Sequence, residues 1–210
     1  MMTIWMSEYV LNTVGYAIFM RNLLKHNFTK KDLPHNTRSY FNTACSEEEK
    51  CLGNMSPEIS NNYPNSFLEV EMDVIKAPTI NISTSQIQIT LSAVVTSRVR
   101  LSDISDIEIL KVSVVMNALI AVTVNANILK FRITHLMPSV EVISSSVGQL
   151  SREDLLSAFD YLSNLVFLPF LNNKLGLGIP IPVPDKIKFI NLEMEMLDHC
   201  LHITADIKRA

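Results

Sequence analysis

The feature that most constrains this fold is a change of period at Phe67. From there Leu68, Val70, Met72 and Val74 fall on one side of the chain, and Glu69, Glu71 and Asp73 on the other. An alternation of two marks a half-buried β-strand, because successive side chains of an extended backbone leave opposite faces. The pattern returns with Ile87, Ile89, Leu91, Ala93 and Val95 set against Gln86, Gln88, Thr90 and Ser92. It continues from Ile107 to Ile128, with a turn or bend expected at Asn117. Unbroken, that stretch would reach about 70 Å; folded at Asn117 it would be a hairpin. Segments 128–135 and 140–146 extend the meander, and 186–197 and 200–207 supply two last strands.

Helical spacing appears twice. Ser7 and Glu8 precede Val10, Leu11, Val14, Ala17, Ile18 and Leu24, one apolar stripe of a helix that ends near Lys25. Ser151, with Asp154 three residues on, caps a second helix in the manner of a capping box. Its buried stripe is Leu155, Phe159, Leu162 and Val166, widened by Leu156, Leu165 and Phe170, and Pro169 is expected to bend or end it. Residues 26–66, rich in Asn, Ser, Pro and charge, read as loops or short irregular segments. Gly176 and Gly178 stop the second helix, and the alternating prolines up to Pro184 make an extended connector. The order is helix, four to six antiparallel strands, helix, two strands. It predicts one α+β domain over residues 1–210, a long, highly twisted antiparallel sheet around two amphipathic helices.

Chemistry is sparse. G-x-S-x-G and phosphate-loop motifs are absent, and the chain has only five glycines. His199 and His202, three apart on a strand, would face opposite sides, so no metal site is expected. The carboxylates sit mostly on the outward faces of strands, where water screens them. No catalytic residue and no cofactor is therefore assigned. A formal charge of −3 gives no general attraction to phosphate backbones, and nucleic acid is not an expected partner. The longest nearly apolar run, Leu165–Leu171, falls short of the roughly 20 residues that span a bilayer. No secretory signal is legible in Met1–Val10. Cys45 and Cys51 bracket a five-residue acidic loop that a disulfide would close in an oxidising compartment; the alternative is free thiols. Asn27, Asn54 and Asn81 head glycosylation sequons, which matter only in a secreted protein.

What remains is apolar excess: 48% hydrophobic residues, 19% charged and ten methionines. Two helices of about 27 Å each cannot cover strands that run well beyond them. The uncovered space is either a groove for acyl chains or the packed core of an interaction domain.

Several segments also resemble one family. They are Ser7-Glu-Tyr-Val-Leu-Asn-Thr-Val-Gly15, Tyr63-Pro-Asn, Leu168-Pro-Phe-Leu-Asn-Asn-Lys174, Gly178-Ile-Pro-Ile-Pro, Phe189-Ile-Asn191 and Asp198-His-Cys-Leu running into Ala205-Asp206. In this order they resemble the C-terminal domain of the bactericidal/permeability-increasing and lipopolysaccharide-binding protein family. Its wider group includes cholesteryl-ester and phospholipid transfer proteins. The resemblance implies one of two similar barrels in a longer secreted parent, no catalysis, and an apolar pocket for phospholipid or lipopolysaccharide acyl chains. It implies roles in innate defence or lipid transfer and allows peripheral contact with lipid surfaces. By position, Val10, Val14 and Ile18 from the first helix and Phe159, Leu162 and Val166 from the second would line the pocket. The parent's N-terminal barrel is the implied partner. The family's familiar disulfide lies in that other half, so a Cys45–Cys51 bridge departs from the pattern.

Overall fold

A computed structural model of the chain describes residues 1–33, 35–46, 51–55, 57–101, 106–125, 127–148, 150–181, 183 and 187–209. In chain order the elements are β1 (Met2–Ser7), α1 (Glu8–Met20), β2 (His26–Phe28), α2 (Pro57–Asn62), β3 (Phe67–Val74), β4 (Thr79–Ile82) and β5 (Ile87–Arg100). After them come β6 (Asp106–Asn125), β7 (Ile128–Ser145), α3 (Arg152–Leu162), α4 (Leu168–Leu175), β8 (Ile179–Pro180), β9 (Ile187–Leu197) and β10 (Cys200–Arg209). Short 3-10 turns fill much of the segment between β2 and α2. The architecture is the expected α+β one.

A seven-stranded antiparallel sheet runs β2-β3-β5-β6-β7-β8, and β4 joins β5 beside β3. β3 and β4 share one edge of β5, facing residues 93–100 and 87–90 in turn, so they act as a single strand broken around Pro78. A three-stranded sheet, ordered β1-β10-β9, closes the two ends of the chain together.

Two expectations about strand breaks are overturned. Asn117 does not turn: β6 runs 20 residues without a hairpin. Its Oδ1 instead accepts hydrogen bonds from Thr90 Oγ1 at 2.8 Å and Gln88 Nε2 at 3.3 Å, across the neighbouring strand. Polar partners on the adjacent strand make an extended Asn cheaper than a turn. Segments 128–135 and 140–146 are likewise one strand, β7, which carries Pro138 in its middle. A proline is tolerated there because β8 covers only residues 128 and 129, leaving the rest of β7 a sheet edge with no donor to lose.

The second helix also runs on where Pro169 was expected to bend or end it. Between α3 and α4 the turn Ser163–Phe167 widens to a π-helix, with Leu168 N donating to Ser163 O five residues back. The wider turn precedes the proline, which sits in the first turn of α4, where a missing N–H costs little. The continuous 24-residue helix, Arg152–Leu175, is long and apolar enough to cross a membrane by length and composition. The Leu165–Leu171 run had given no hint of this. Its inner face instead packs on the sheet. After it, Gly178 takes a left-handed φ of +71°, which favours glycine, and a Cβ there would stand 2.7 Å from Leu129 O.

The first helix ends at Met20, five residues before Lys25, where Asn22 turns left-handed at φ +54. It lies along the edge of β4: Glu8, Asn12 and Gly15 meet Ile82, Ile80 and Pro78.

The buried side chains form two clusters. One holds α3, Phe28, Phe41 and the inner residues of β3, β5 and the first half of β6. The other joins Leu11 of α1 to Ile82, Ile120, Leu129 and the three-stranded sheet through Leu201 and Ile203. The long helix serves both, since α4 packs Leu168, Leu171 and Leu175 on the second cluster.

Candidate functional site

Ser151 starts α3 as expected, its Oγ accepting from Asp154 N at 3.1 Å. Leu155, Ala158, Phe159 and Leu162 then face the sheet and, with Leu68, Val95, Ile109, Val112 and Val140, enclose a cavity of about 50 Å³. Apart from Ser97 its walls are apolar side chains. A 150 Å³ apolar cavity is about what benzene needs, so 50 Å³ leaves no room for an acyl chain.

The same helix face continues through Leu165, Val166, Pro169, Phe170 and Asn173, and there it meets Phe28, Asp32 and Leu33 around a second cavity of about 300 Å³. This one has a greasy floor and a polar mouth. Phe28, Leu33 and Val166 are almost fully buried, whereas Asp32 and Asn173 are exposed. Beside this cavity, His26 meets Phe28 edge-on and Phe170 at a tilt, with ring centroids 4.6 and 4.5 Å away. Its Nε2 is buried without a hydrogen-bond partner and lies 3.8 Å from Asp32 Oδ1, beyond hydrogen-bond reach. Asp32 Oδ2 is occupied, accepting from Thr29 N at 2.8 Å and Thr29 Oγ1 at 3.0 Å.

The six residues expected to line a pocket divide. Phe159 and Leu162 line the first cavity and Val166 the second. Val10 and Val14 are 48% and 43% exposed and Ile18 is half-buried. The apolar residues of α1 run all round it, and the face chosen by its β4 contacts is centred on Leu11, Gly15 and Phe19 rather than on Val10 and Val14. These two flank the core border and touch neither cavity. His26, Phe28, Asp32 and Leu33 escaped sequence reasoning, because the irregular segment that holds them has no period to read.

Cys45 and Cys51 are disulfide-bonded, with Cα atoms 6.2 Å apart. Asn27 and Asn81 are exposed; the side chain of Asn54, and Ser56 of its sequon, lie outside the described residues. His199 is in the β9–β10 turn, not on a strand, its Nδ1 3.0 Å from Glu8 Oε1, while His202 stacks on Trp5. Among the described residues no group of three His, Cys, Asp or Glu side chains could hold a metal ion.

Charge concentrates on the outer face of the sheet. Glu71 pairs with Lys25 at 2.7 Å and Arg98 at 2.6 Å, and those two cations hold its carboxyl below the ordinary value. Such a network keeps a long sheet soluble and leaves the inner face for apolar contact.

Residues 1–209 match the sequence profile of the LBP / BPI / CETP family, C-terminal domain. The chain is 25% identical over 204 residues to the lipopolysaccharide-binding protein of Mus musculus, covering 96% of this chain and 41% of that one. It is 25% identical over 211 residues to the bactericidal permeability-increasing protein of Rattus norvegicus, covering 42% of that chain. A crystal structure of lipopolysaccharide binding protein shares the fold, with a TM-score of 0.65 and 22% identity over 90% of this chain and 41% of that one. The chain thus spans about two fifths of the length of the relatives it matches. With a profile match running from Met1 to Arg209 and the same fold in a solved relative, the chain belongs to the LBP / BPI / CETP family as a C-terminal domain.

Proposed function

We propose that this chain is a single, non-catalytic lipid-binding domain, in innate defence or lipid transfer. It takes acyl chains of phospholipid or lipopolysaccharide between the Arg152–Leu175 helix and the long sheet. The observation that carries the reading is the all-but-apolar cavity under α3 in a chain of this family. At about 50 Å³ the site is too small for an acyl chain, so lipid binding requires α3 to part from the sheet. Leu155, Ala158, Phe159 and Leu162 hold it there by apolar contact. That attraction is non-directional and re-forms around a methylene chain at little loss.

Val10, Val14 and Ile18 then flank the opened groove. The relatives' greater length supports a parent with an N-terminal barrel, and the outer edges of β1 and β9, unpaired in their sheet, are where it would meet this domain. Secretion follows from the family and agrees with the disulfide; Asn27, Asn54 and Asn81 are its glycosylation sites in this reading.

The test is to extract and weigh what the protein carries. Purified without denaturant, it should hold about one phospholipid per chain by native mass spectrometry. A clean apo mass would sink the proposal. The small volume under α3 favours a second reading, a packed interaction domain. That reading gains if no vesicle lipid is taken up while the isolated parent barrel still binds.

A further inference from the structure

The Arg152–Leu175 helix is one element by length and two by attachment. α3 belongs to the first buried cluster through Leu155, Ala158, Phe159 and Leu162, whereas α4 sets Leu168, Leu171 and Leu175 on the second. The inner face of α3 meets the sheet through apolar side chains, whose attraction has no direction. α4 is pinned as well as packed. The Asn172 side chain donates to Ile133 O at 3.1 Å and accepts from Ile133 N at 2.7 Å.

Between the halves the helix is at its weakest. Leu168 N donates to Ser163 O, one residue beyond the usual partner, and Pro169 has no N–H to give, so two successive rungs of the ordinary ladder are missing. Ser163 is 1% exposed, yet its Oγ has no hydrogen-bond partner among the described residues. A serine inside a helix can return its hydroxyl to the carbonyl four residues back. Here the shut position leaves that hydroxyl unpaired, a cost that is relieved once water reaches it. There is also space for the turn to move. Leu165, Val166, Pro169 and Phe170 line the second cavity, about 300 Å³, where a close-packed interior would hold them still.

We propose that the π turn Ser163–Phe167 is a hinge, about which α3 swings off the sheet as a lid while α4 stays fixed. Phe167 is the stop on which the lid closes, 5.0 Å from Phe28 and 5.7 Å from Phe159. Opening parts Phe159 from Phe167 and wets the Ser163 hydroxyl; Phe167 keeps its place on Phe28. The lid's role as a gate rests on the lipid-binding reading above, and the pivot itself does not.

Hydrogen exchange read by mass spectrometry on the full chain tests the pivot. Amides of residues 153–162 should be at least about tenfold less protected than those of residues 170–175, because local opening exposes the first set alone. Ser163→Ala removes the unpaired hydroxyl and should slow exchange in α3 by at least about fivefold, with α4 unchanged. Deleting Asn164, an exposed residue, takes out the extra residue of the π turn and should bring the two halves to within about twofold of each other. Thermal unfolding of each variant monitors the fold, and Ser163→Ala decides the matter if the deletion does not fold. Equal protection of the two halves in the unaltered chain, or a Ser163→Ala effect that is absent or shared by both, overturns the hinge. Uptake of pyrene-labelled phosphatidylcholine from vesicles tests the gate and should slow with α3 exchange in Ser163→Ala. An unchanged uptake rate beside slowed exchange overturns the gate. No uptake by the unaltered chain, with exchange split at the turn, overturns the lipid reading and leaves the hinge standing.

Discussion

Asn172 clamps the backbone of Ile133: its Nδ2 donates to Ile133 O at 3.1 Å and its Oδ1 accepts from Ile133 N at 2.7 Å. A helix thereby supplies both partners that a missing strand would give to the edge of β7. Asn12 does the same from α1 for Ile80 on β4, at 2.9 and 2.7 Å. At both places one amide side chain satisfies the backbone N–H and C=O of a single residue on a sheet edge next to a helix. Asn172→Ala should cost about 1–3 kcal/mol in urea unfolding, the worth of two hydrogen bonds and an orphaned backbone pair. Asn12→Ala should cost a similar amount, and a loss below about 0.5 kcal/mol for both would refute the clamp.

Glu8 ties α1 to both sheets, since its Oε2 accepts from Ile82 N at 3.1 Å and its Oε1 faces His199. The Ile82 N–H, and after it His199, holds this carboxyl below its ordinary value of 4.5. A carboxyl depressed in the fold stabilises it fully above that ordinary value, and the stability is lost as the pH falls through the depressed one. Glu8→Gln should flatten the loss of unfolding free energy between about pH 5 and pH 3. Identical acid slopes in the two proteins would show that Glu8 is not a contributor.

Phe159 and Val14 should part company on substitution. Phe159, 4% exposed on the inner face of α3, should cost about 3–5 kcal/mol when cut to alanine, and Leu162→Asp should unfold the domain. Val14→Trp, at a site 43% exposed, should leave the unfolding midpoint within a few degrees. In the lipid reading it also lowers the lipid carried by the purified protein. Unchanged lipid content with Val14→Trp removes α1 from the groove.

The Cys45–Cys51 bridge closes a loop with a sequence separation of 6, so its effect on the unfolded chain is modest. Loop-closure entropy puts it at about 2 kcal/mol. Replacing both cysteines with alanine should lower stability by that amount in chemical unfolding. A change near zero would mean the bridge adds nothing to the fold.

Much of this fold was legible before any coordinates. Leu68, Val70, Met72 and Val74 are buried on the inner face of β3, as the alternation predicts, but Glu69 on the opposite face is buried too rather than screened by water, and is held by its pair with Arg100 on β5. Ser151 and Leu155 to Val166 were equally plain, since capping and a repeat of three to four are local chemistry. Pro169 and Asn117 misled for a shared reason. Each carries a local preference that weighs little against a long partner: a π turn absorbs the proline, and Gln88 and Thr90 hold the asparagine in a strand.

Sequence alone determined the α+β plan, the apolar excess and three cavity-lining residues on the long helix, Phe159, Leu162 and Val166, because periodicity records which face is buried. Tertiary structure decided which side of α1 is covered: a helix apolar all round has no preferred face until Ile80 and Ile82 fix it through Asn12 and Glu8. It also decided the second cavity. Phe28, Asp32 and Asn173 are brought together by chain crossings that no local pattern encodes, since residues far apart in sequence become neighbours only when a common core draws them in.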